Sequence, residues 1–278
     1  MNIIGLGGAG CKITKSFEVY PQYTHYYIDS EQVNHPNYIR VRECSTHEEY
    51  EKNYNSLDMS QIQGDATLIF AGSGKITGVL LRLLEDLRHI KVSILYIKPD
   101  MATLDESAKK REKIVFGVLQ QYARSGLISG ILVVNNDSVE AILENVSIAN
   151  YWQEINNVLS SSYHMLNVFE NTEPMLSTMA DVKKTVKIST MGVVAYKNFD
   201  EKIFYNLVKP RAKKYFFGIS EKTLNEEKDL LHRIRSYVKG KSEDGCTASF
   251  AIYSTNYEQN YVYVTQHASL IQEQNVDF

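Results

Sequence analysis

Residues 67–78 read TLIFAGSGKITG. An apolar run, TLIFA, is followed at once by two glycines and a lysine. Behind them, at 76–89, Val79, Leu80, Leu83, Leu84 and Leu87 recur at helical spacing on one face. This is a strand handing over to a helix through a glycine turn. Glycines there let backbone N–H groups approach an anion, and the start of the helix adds free N–H groups and the positive end of its dipole. The same pattern opens the chain, where NIIGL (2–6) runs into GLGGAG (5–10). Gly5, Gly7 and Gly10 spell G-x-G-x-x-G, which is weak by itself and also compatible with a tight turn that holds no ligand. GSGKITG is not a P-loop, because no glycine stands five before Gly74 and Lys75 is followed by Ile76 rather than Ser or Thr. Two glycine turns at the carboxyl ends of strands make a wider phosphate cradle than either motif needs.

Further apolar runs of β type lie at HYYID (25–29), YIRV (38–41), VSILYI (92–97) and GILVV (130–134), with a second helical stretch at 104–124. Strands alternating with helices predict an α/β fold with a parallel sheet covered on both faces. A long helix is expected at about 150–170, with Trp152, Ile155, Leu159, Tyr163, Leu166 and Phe169 forming one apolar stripe and Pro174 marking its end. Beyond it the pattern becomes α+β. A short helix at about 178–187 leads into STMGVVAYK and AKKYFFGIS. A helix opened by a capping box at Thr223 and Glu226 runs to about 238, and TASFAIYS and NYVYVTQ read as a closing hairpin. The expected domains are therefore 1–149, a connecting helix 150–172, and 173–278.

Composition narrows the function. The chain has 278 residues, is 44% hydrophobic and carries a net charge of -3, so it can bury a core and shows no basic surface for nucleic acid. Its three cysteines, Cys11, Cys44 and Cys246, have neither CxxC spacing nor a neighbouring His cluster, which argues against a disulfide scaffold or a zinc site. Met1 leads straight into a strand-like segment, and no apolar run approaches the roughly 20 residues of a membrane span. A cytoplasmic protein is expected.

The glycine turns and the segments after them resemble the tubulin/FtsZ family of GTPases, in collinear order along nearly the whole chain. GLGGAGCKI (5–13) is similar to the family's first phosphate loop, and YIDSEQ (27–32) to its second. GSGKITG (72–78) stands in the place of the signature GGGTG[ST]G, and KPDMATLDESAKKR (98–111) resembles the segment that ends near sugar and phosphates. VVNND (133–137) is similar to the loop that presents an Asn to the base. Trp152 and Asn156 match the aromatic and Asn of the base-binding helix face, and TMADVKKTVKISTMGVVAYK (178–197) resembles the stretch after the central helix. The resemblance implies a Rossmann-like GTPase domain, a central helix and a smaller α+β domain. It further implies guanine nucleotide held by Gly7, Gly8, Gly10, Cys11, Lys12, Gly72, Ser73, Gly74, Lys75, Thr77, Arg111, Asn136, Trp152 and Asn156. Asp29 and Glu31 are implied as Mg²⁺ ligands, and Asp181 as the acid that completes hydrolysis on the next subunit of a head-to-tail homopolymer. The partners expected are further copies of the chain, with a DNA-positioning or division adaptor, as in a compact phage- or plasmid-type member.

Taken as residues alone, several of these positions have plainer roles. Asp29 and Glu31 also suit a solvated turn, Arg111 an exposed helix charge in KKREK, and Asn136 a strand-end turn. Trp152 also suits core packing, and Asp181 a first-turn helix acid beside the dipole. The sequence departs from the family pattern at Lys75-Ile76, where Thr-Gly is usual, and at Leu176 and Thr178, where Asn and an Asp are usual. It departs again in 43–64, a short third loop without a Gly-Ala-Asn segment. The altered signature and the missing acid favour one alternative, a non-polymerising nucleotide-binding relative impaired in hydrolysis; a second, a Rossmann enzyme that binds NAD through GLGGAG, draws on Asp29 and Glu31 as the acid about 20 residues further on.

Overall fold

The computed structural model describes residues 1–32, 34–143, 147–179, 182 and 185–272. They divide into two units, one ending at Ser160 and the other beginning at Ser161.

In the first unit the apolar runs become strands β1 (Asn2–Leu6), β2 (Thr24–Asp29), β3 (Tyr38–Arg40), β4 (Ala66–Ala71), β5 (Val92–Lys98) and β6 (Gly130–Asn135). All pair in parallel, in the order β3-β2-β1-β4-β5-β6. β1 is buried along its whole length, as a central strand covered on both faces must be. The helices are α1 (Gly7–Ser16), α2 (His47–Lys52), α3 (Leu80–Asp86), α4 (Glu106–Ser125), α5 (Asn136–Glu140) and α6 (Tyr151–Glu170), the last of which starts in this unit. The five apolar residues expected to share one face after the second glycine turn are all buried, although the first turn, Lys75–Val79, is 3-10 rather than α. α4 starts where the Asp105 carboxylate accepts the Ala108 N–H, and it stops at Gly126, whose φ of 84° only glycine adopts readily.

Strand order locates the site. From β1 the chain builds β2 and β3 on one side, then crosses back to add β4, β5 and β6 on the other. Ligands of open α/β sheets bind at such a reversal, beyond the carboxyl ends of the strands. The two glycine turns follow β1 and β4, the strands that flank it.

α6 carries the expected stripe of Ile155, Leu159, Leu166 and Phe169, all buried, but Trp152 is 60% exposed. Core packing is therefore not its role. The tryptophan sits in the first turn, just after the 3-10 turn Ile148–Asn150.

The second unit holds β7 (Leu176–Ser177), β8 (Ile188–Val194), β9 (Glu201–Ile203), β10 (Ala212–Ser220), α7 (Glu221–Glu226), α8 (Leu230–Gly240), β11 (Thr247–Thr255) and β12 (Tyr261–Ala268). Its strands are ordered β8-β12-β10-β11-β7, with β9 beside β8. β10 explains the packing by alternation. Tyr215, Phe217 and Ile219 join a core with Leu230, Ile234 and Val238 of α8, while Phe216 stacks on Phe169 at 5.7 Å. Glu201 ties this unit together, its carboxylate accepting from the Tyr215 hydroxyl (3.1 Å), the Tyr237 hydroxyl (3.1 Å), Gln266 Nε2 (3.2 Å) and Lys241 Nζ (2.7 Å).

Three local expectations are corrected by the structure. β11 and β12 do not form a hairpin, because β10 lies between them, parallel to β11 and antiparallel to β12. The apolar run YFFGI takes the central place, and the short loop need cross only about 10 Å, two strand spacings. The capping residue of the next helix is Ser220, whose hydroxyl accepts the Thr223 N–H at 3.2 Å, so Thr223 lies inside α7 and a break separates α7 from α8. Among the described residues of 178–187 none is helical.

Candidate functional site

The turn after β1 starts with Gly7 at φ +70°, and a Cβ there would stand 2.6 Å from Cγ2 of Ile76. The two glycine turns therefore touch, with the Ile76 side chain filling the space that a Gly7 side chain would need. A Cβ on Gly8 would meet nothing within 4 Å, and Gly8 is exposed. Gly10 serves packing instead, since its Cβ would lie 2.2 Å from the Ile69 carbonyl of β4. Lys12 is exposed. Cys11 is buried, its Sγ facing the carbonyl oxygens of Gly5 (3.6 Å) and Ile28 (3.8 Å). Burial, helped by the Asp29 charge, pushes its thiol up to about 12, so the sulfur stays protonated at neutral pH.

The turn after β4 is held from two sides. The Gly72 N–H donates to the Ile97 carbonyl at 3.3 Å, and a Cβ on Gly72 would fall 1.8 Å from the Tyr96 hydroxyl. Arg111 of α4 donates from Nε to the Ser73 carbonyl at 3.4 Å and from Nη1 to the Ser107 hydroxyl at 2.9 Å. Arg111 is thus engaged at the turn rather than being a free surface charge. Gly74 enters the 3-10 turn in an extended conformation, the Thr77 hydroxyl donates to its carbonyl at 2.7 Å, and Lys75 is exposed. No residue from 72 to 78 has a positive φ. Ile76 is accommodated because the turn takes a path on which a second left-handed glycine is unnecessary.

Asp29 ends β2 and is buried, and its Oδ1 accepts the Ser30 N–H at 2.7 Å. Burial raises its pKa above the usual carboxylate range, so a bound cation would favour its ionised form. Glu31 is exposed. No group of three metal-ligating side chains occurs among the described residues. A divalent ion at Asp29 and Glu31 would need its remaining ligands from phosphate and water, which is how Mg²⁺ is commonly held.

The short segment 43–64 is organised around α2. Gly78 lets this helix come close, since a Cβ there would lie 2.1 Å from the His47 carbonyl. The Tyr50 hydroxyl donates to Ser30 Oγ at 3.0 Å, tying α2 to the turn after β2. Nε2 of His47 is buried without a hydrogen-bond partner. Burial holds its imidazole below the usual range, against the pull of Glu48 and with the Arg111 charge adding to the depression. The lowered pKa favours the neutral imidazole, which can donate or accept at Nε2 according to its tautomer. The packing of His47 and Tyr50 against Gly78 was not legible in the sequence, where the glycine alone hints that another backbone comes close.

On the far side of the sheet reversal, the Asn135 side chain caps α5 by accepting the Ser138 N–H at 2.9 Å, which leaves Asn136 as the first helical residue, half-buried. The Tyr151 hydroxyl donates to Glu140 at 2.7 Å and joins α5 to the start of α6. Trp152 meets the Tyr151 ring edge-on at 5.1 Å, and Asn156 follows one turn later. Asp181 lies outside the described residues. Thr178, nearby in sequence, is bound into the edge of the second unit's sheet, its hydroxyl accepting the Phe250 N–H at 3.1 Å and donating to the Phe250 carbonyl at 3.3 Å.

No protein-family model matches the sequence, and the curated proteins contain no match either. Solved structures do match in fold. The chain is similar to TubZ of Bacillus thuringiensis serovar israelensis in a GTPγS-form protofilament, with a TM-score of 0.72 at 15% identity over 96% of this chain and 86% of that one. CetZ2 from Haloferax volcanii, in a GTPγS-bound protofilament, gives a TM-score of 0.69 at 12% identity, covering 96% and 92%. An empty FtsZ dimer from M. jannaschii gives 0.64 at 12% identity, covering 96% and 87%. The fold is that of the tubulin/FtsZ GTPases. No helix among the described residues is long and apolar enough to cross a membrane.

Proposed function

We propose that this chain is a GTP-binding cytoskeletal protein that stacks head to tail into filaments in the cytoplasm. The observation that carries the proposal is the meeting of two glycine turns at the sheet reversal, with Ile76 against Gly7 and Arg111 on Ser73. A Rossmann NAD site uses the first turn and has no task for the second, although its strand order is the same. The fold of the chain, shared with proteins seen as protofilaments with GTPγS, supports the same choice.

Backbone N–H groups of Gly7, Gly8 and Ser73 would face the phosphates, Gly10, Gly72 and Gly74 would shape the two turns that present them, and Lys12, Lys75 and Arg111 would offset the phosphate charge. Asn136 and Asn156 would bind the base edge, and Trp152 would stack on the purine. Asp29 and Glu31 would hold Mg²⁺, which when bound neutralises charge on the phosphates. Hydrolysis to GDP and phosphate would be completed by Asp181 of the adjoining molecule, acting on the attacking water. Thr178, where a further acid is usual, is absorbed by Phe250, so turnover is expected to be slow. That engagement also supports a second reading, a non-polymerising, hydrolysis-impaired relative that serves as regulator or structural partner.

Electron microscopy with GTP or a slowly hydrolysed analogue, alongside light scattering and phosphate release, separates the two readings. Filaments with GTP are expected, and Asp181→Ala should slow phosphate release while leaving nucleotide affinity within about twofold. Binding of GTP without filaments at any concentration would favour the second reading. A response of Trp152 fluorescence to NADH alone would sink both.

A further inference from the structure

Beneath the second glycine turn lies a buried ion pair that no substrate contact explains. Lys98, the last residue of β5, places Nζ 2.8 Å from Oε1 of Glu112 on α4. Glu112 is completely buried and Lys98 almost so. The same Oε1 accepts from the Tyr96 hydroxyl at 3.2 Å. The Tyr96 ring stacks on Phe116 at 4.9 Å, and Lys98 Nζ stands 4.3 Å from the Phe116 centroid. Stability is a poor account of this arrangement, because taking two charges out of water costs about as much as their attraction returns, and well-packed apolar replacements often do as well.

Position supplies the account. The Tyr96 hydroxyl occupies the volume that a side chain on Gly72 would need. Arg111, the residue before Glu112, holds the Ser73 carbonyl of the same turn. Two successive residues of α4 therefore reach the turn, Arg111 directly at Ser73 and Glu112 through the Tyr96 hydroxyl at Gly72. We infer that Glu112, fixed by Lys98, is a positioning residue that sets the Gly72–Gly74 turn through the Tyr96 hydroxyl, and so sets the affinity of the phosphate site. The effect on affinity rests on the nucleotide reading of that turn; the mechanical effect does not.

Two variants test it: Tyr96→Phe, which removes only the hydroxyl, and Lys98→Met with Glu112→Leu, which replaces the pair with apolar groups. Two measurements are made on each beside the melting temperature. One is hydrogen exchange at the amides of Gly72, Gly74 and Thr77, all hydrogen-bonded in the protein. The other is affinity for a fluorescent GDP. Melting within a few degrees of wild type, with those amides exchanging about tenfold faster than before while β4 and β5 are unchanged, is the expected result. Affinity is expected to fall about tenfold, which corresponds to about 1.4 kcal/mol. Unchanged exchange at the three amides in Tyr96→Phe overturns the inference, including in the case where the double variant fails to fold. If wild-type protein binds no guanine nucleotide, the functional proposal falls, and the exchange comparison still decides whether Glu112 positions the turn.

Discussion

Gly8 and Gly10 look interchangeable in GLGGAG, yet alanine should affect them in opposite directions. In Gly10→Ala the new methyl would stand 2.2 Å from the Ile69 carbonyl oxygen and 3.1 Å from its carbon. That obstacle is backbone in the middle of a parallel sheet, paired on one side with β1 and on the other with β5, so it cannot swing aside as a side chain could. Overpacking a tight contact usually costs about 1–3 kcal/mol, and this geometry belongs at the upper end. Exchanging Gly for Ala within a helix returns up to about 1 kcal/mol, leaving a net loss of about 2 kcal/mol. In Gly8→Ala the methyl meets nothing, and the same propensity term yields a gain of about 0.5 kcal/mol near the helix start. Urea unfolding reads the difference. Trp152 is the only tryptophan and lies in the first unit, so its fluorescence follows the unit being perturbed. The two variants should differ by about 2.5 kcal/mol, with Gly8→Ala the more stable. Variants within about 0.5 kcal/mol of each other would refute the claim that α1 is seated on β4 through the missing side chain.

Two further outcomes are expected in the second unit. His267 is held by burial, with Lys214 adding to the effect, at about 4, below its ordinary 6.5, and its Nε2 lies 2.9 Å from the Thr265 hydroxyl. The unfolded chain takes up a proton that the folded one refuses. Stability is therefore full above about pH 6.5 and falls by roughly 2 kcal/mol as the pH drops toward 4, allowing for partial exposure of the ring. Urea midpoints at pH 7 and pH 5 should show this slope, and His267→Gln should flatten it. Glu201→Ala would leave the Tyr215 and Tyr237 hydroxyls and the Lys241 ammonium without their shared acceptor. A loss of about 3 kcal/mol is expected by urea unfolding followed by circular dichroism, with Glu201→Gln recovering part of it; a loss below about 1 kcal/mol in Glu201→Ala would contradict the role given to that carboxylate.

What could be read from the chain was what its neighbours in sequence decide. Runs such as TLIFA and GILVV are too apolar to be anything but strands covered on both sides, and the leucines at 80, 83, 84 and 87 can share a face only in a helix. The glycine turns followed from their position between such elements. What could not be read depended on partners far away along the chain. TASFAIYS and NYVYVTQ look like a hairpin until β10, which precedes both in the chain, comes between them. Glu112 sits in KKREK, a string that looks solvated, and its burial is decided by Lys98, 14 residues earlier, and by Phe116. Ser220 displaced Thr223 as the helix cap because the preceding strand ends on it. Trp152 fitted a core stripe by spacing alone, but the stripe's first turn is open to solvent.

The contact between Ile76 and Gly7 has a mechanical consequence. Two loops that could have moved separately are joined by one methyl group seated in a notch, so displacing either displaces both. The nucleotide site proposed there would be largely shaped before its ligand arrives, with little conformational freedom left for the ligand to remove. Shortening that side chain in Ile76→Ala would unlatch the pair, and under the proposed function the loosening would register in the entropy of nucleotide binding more than in its enthalpy.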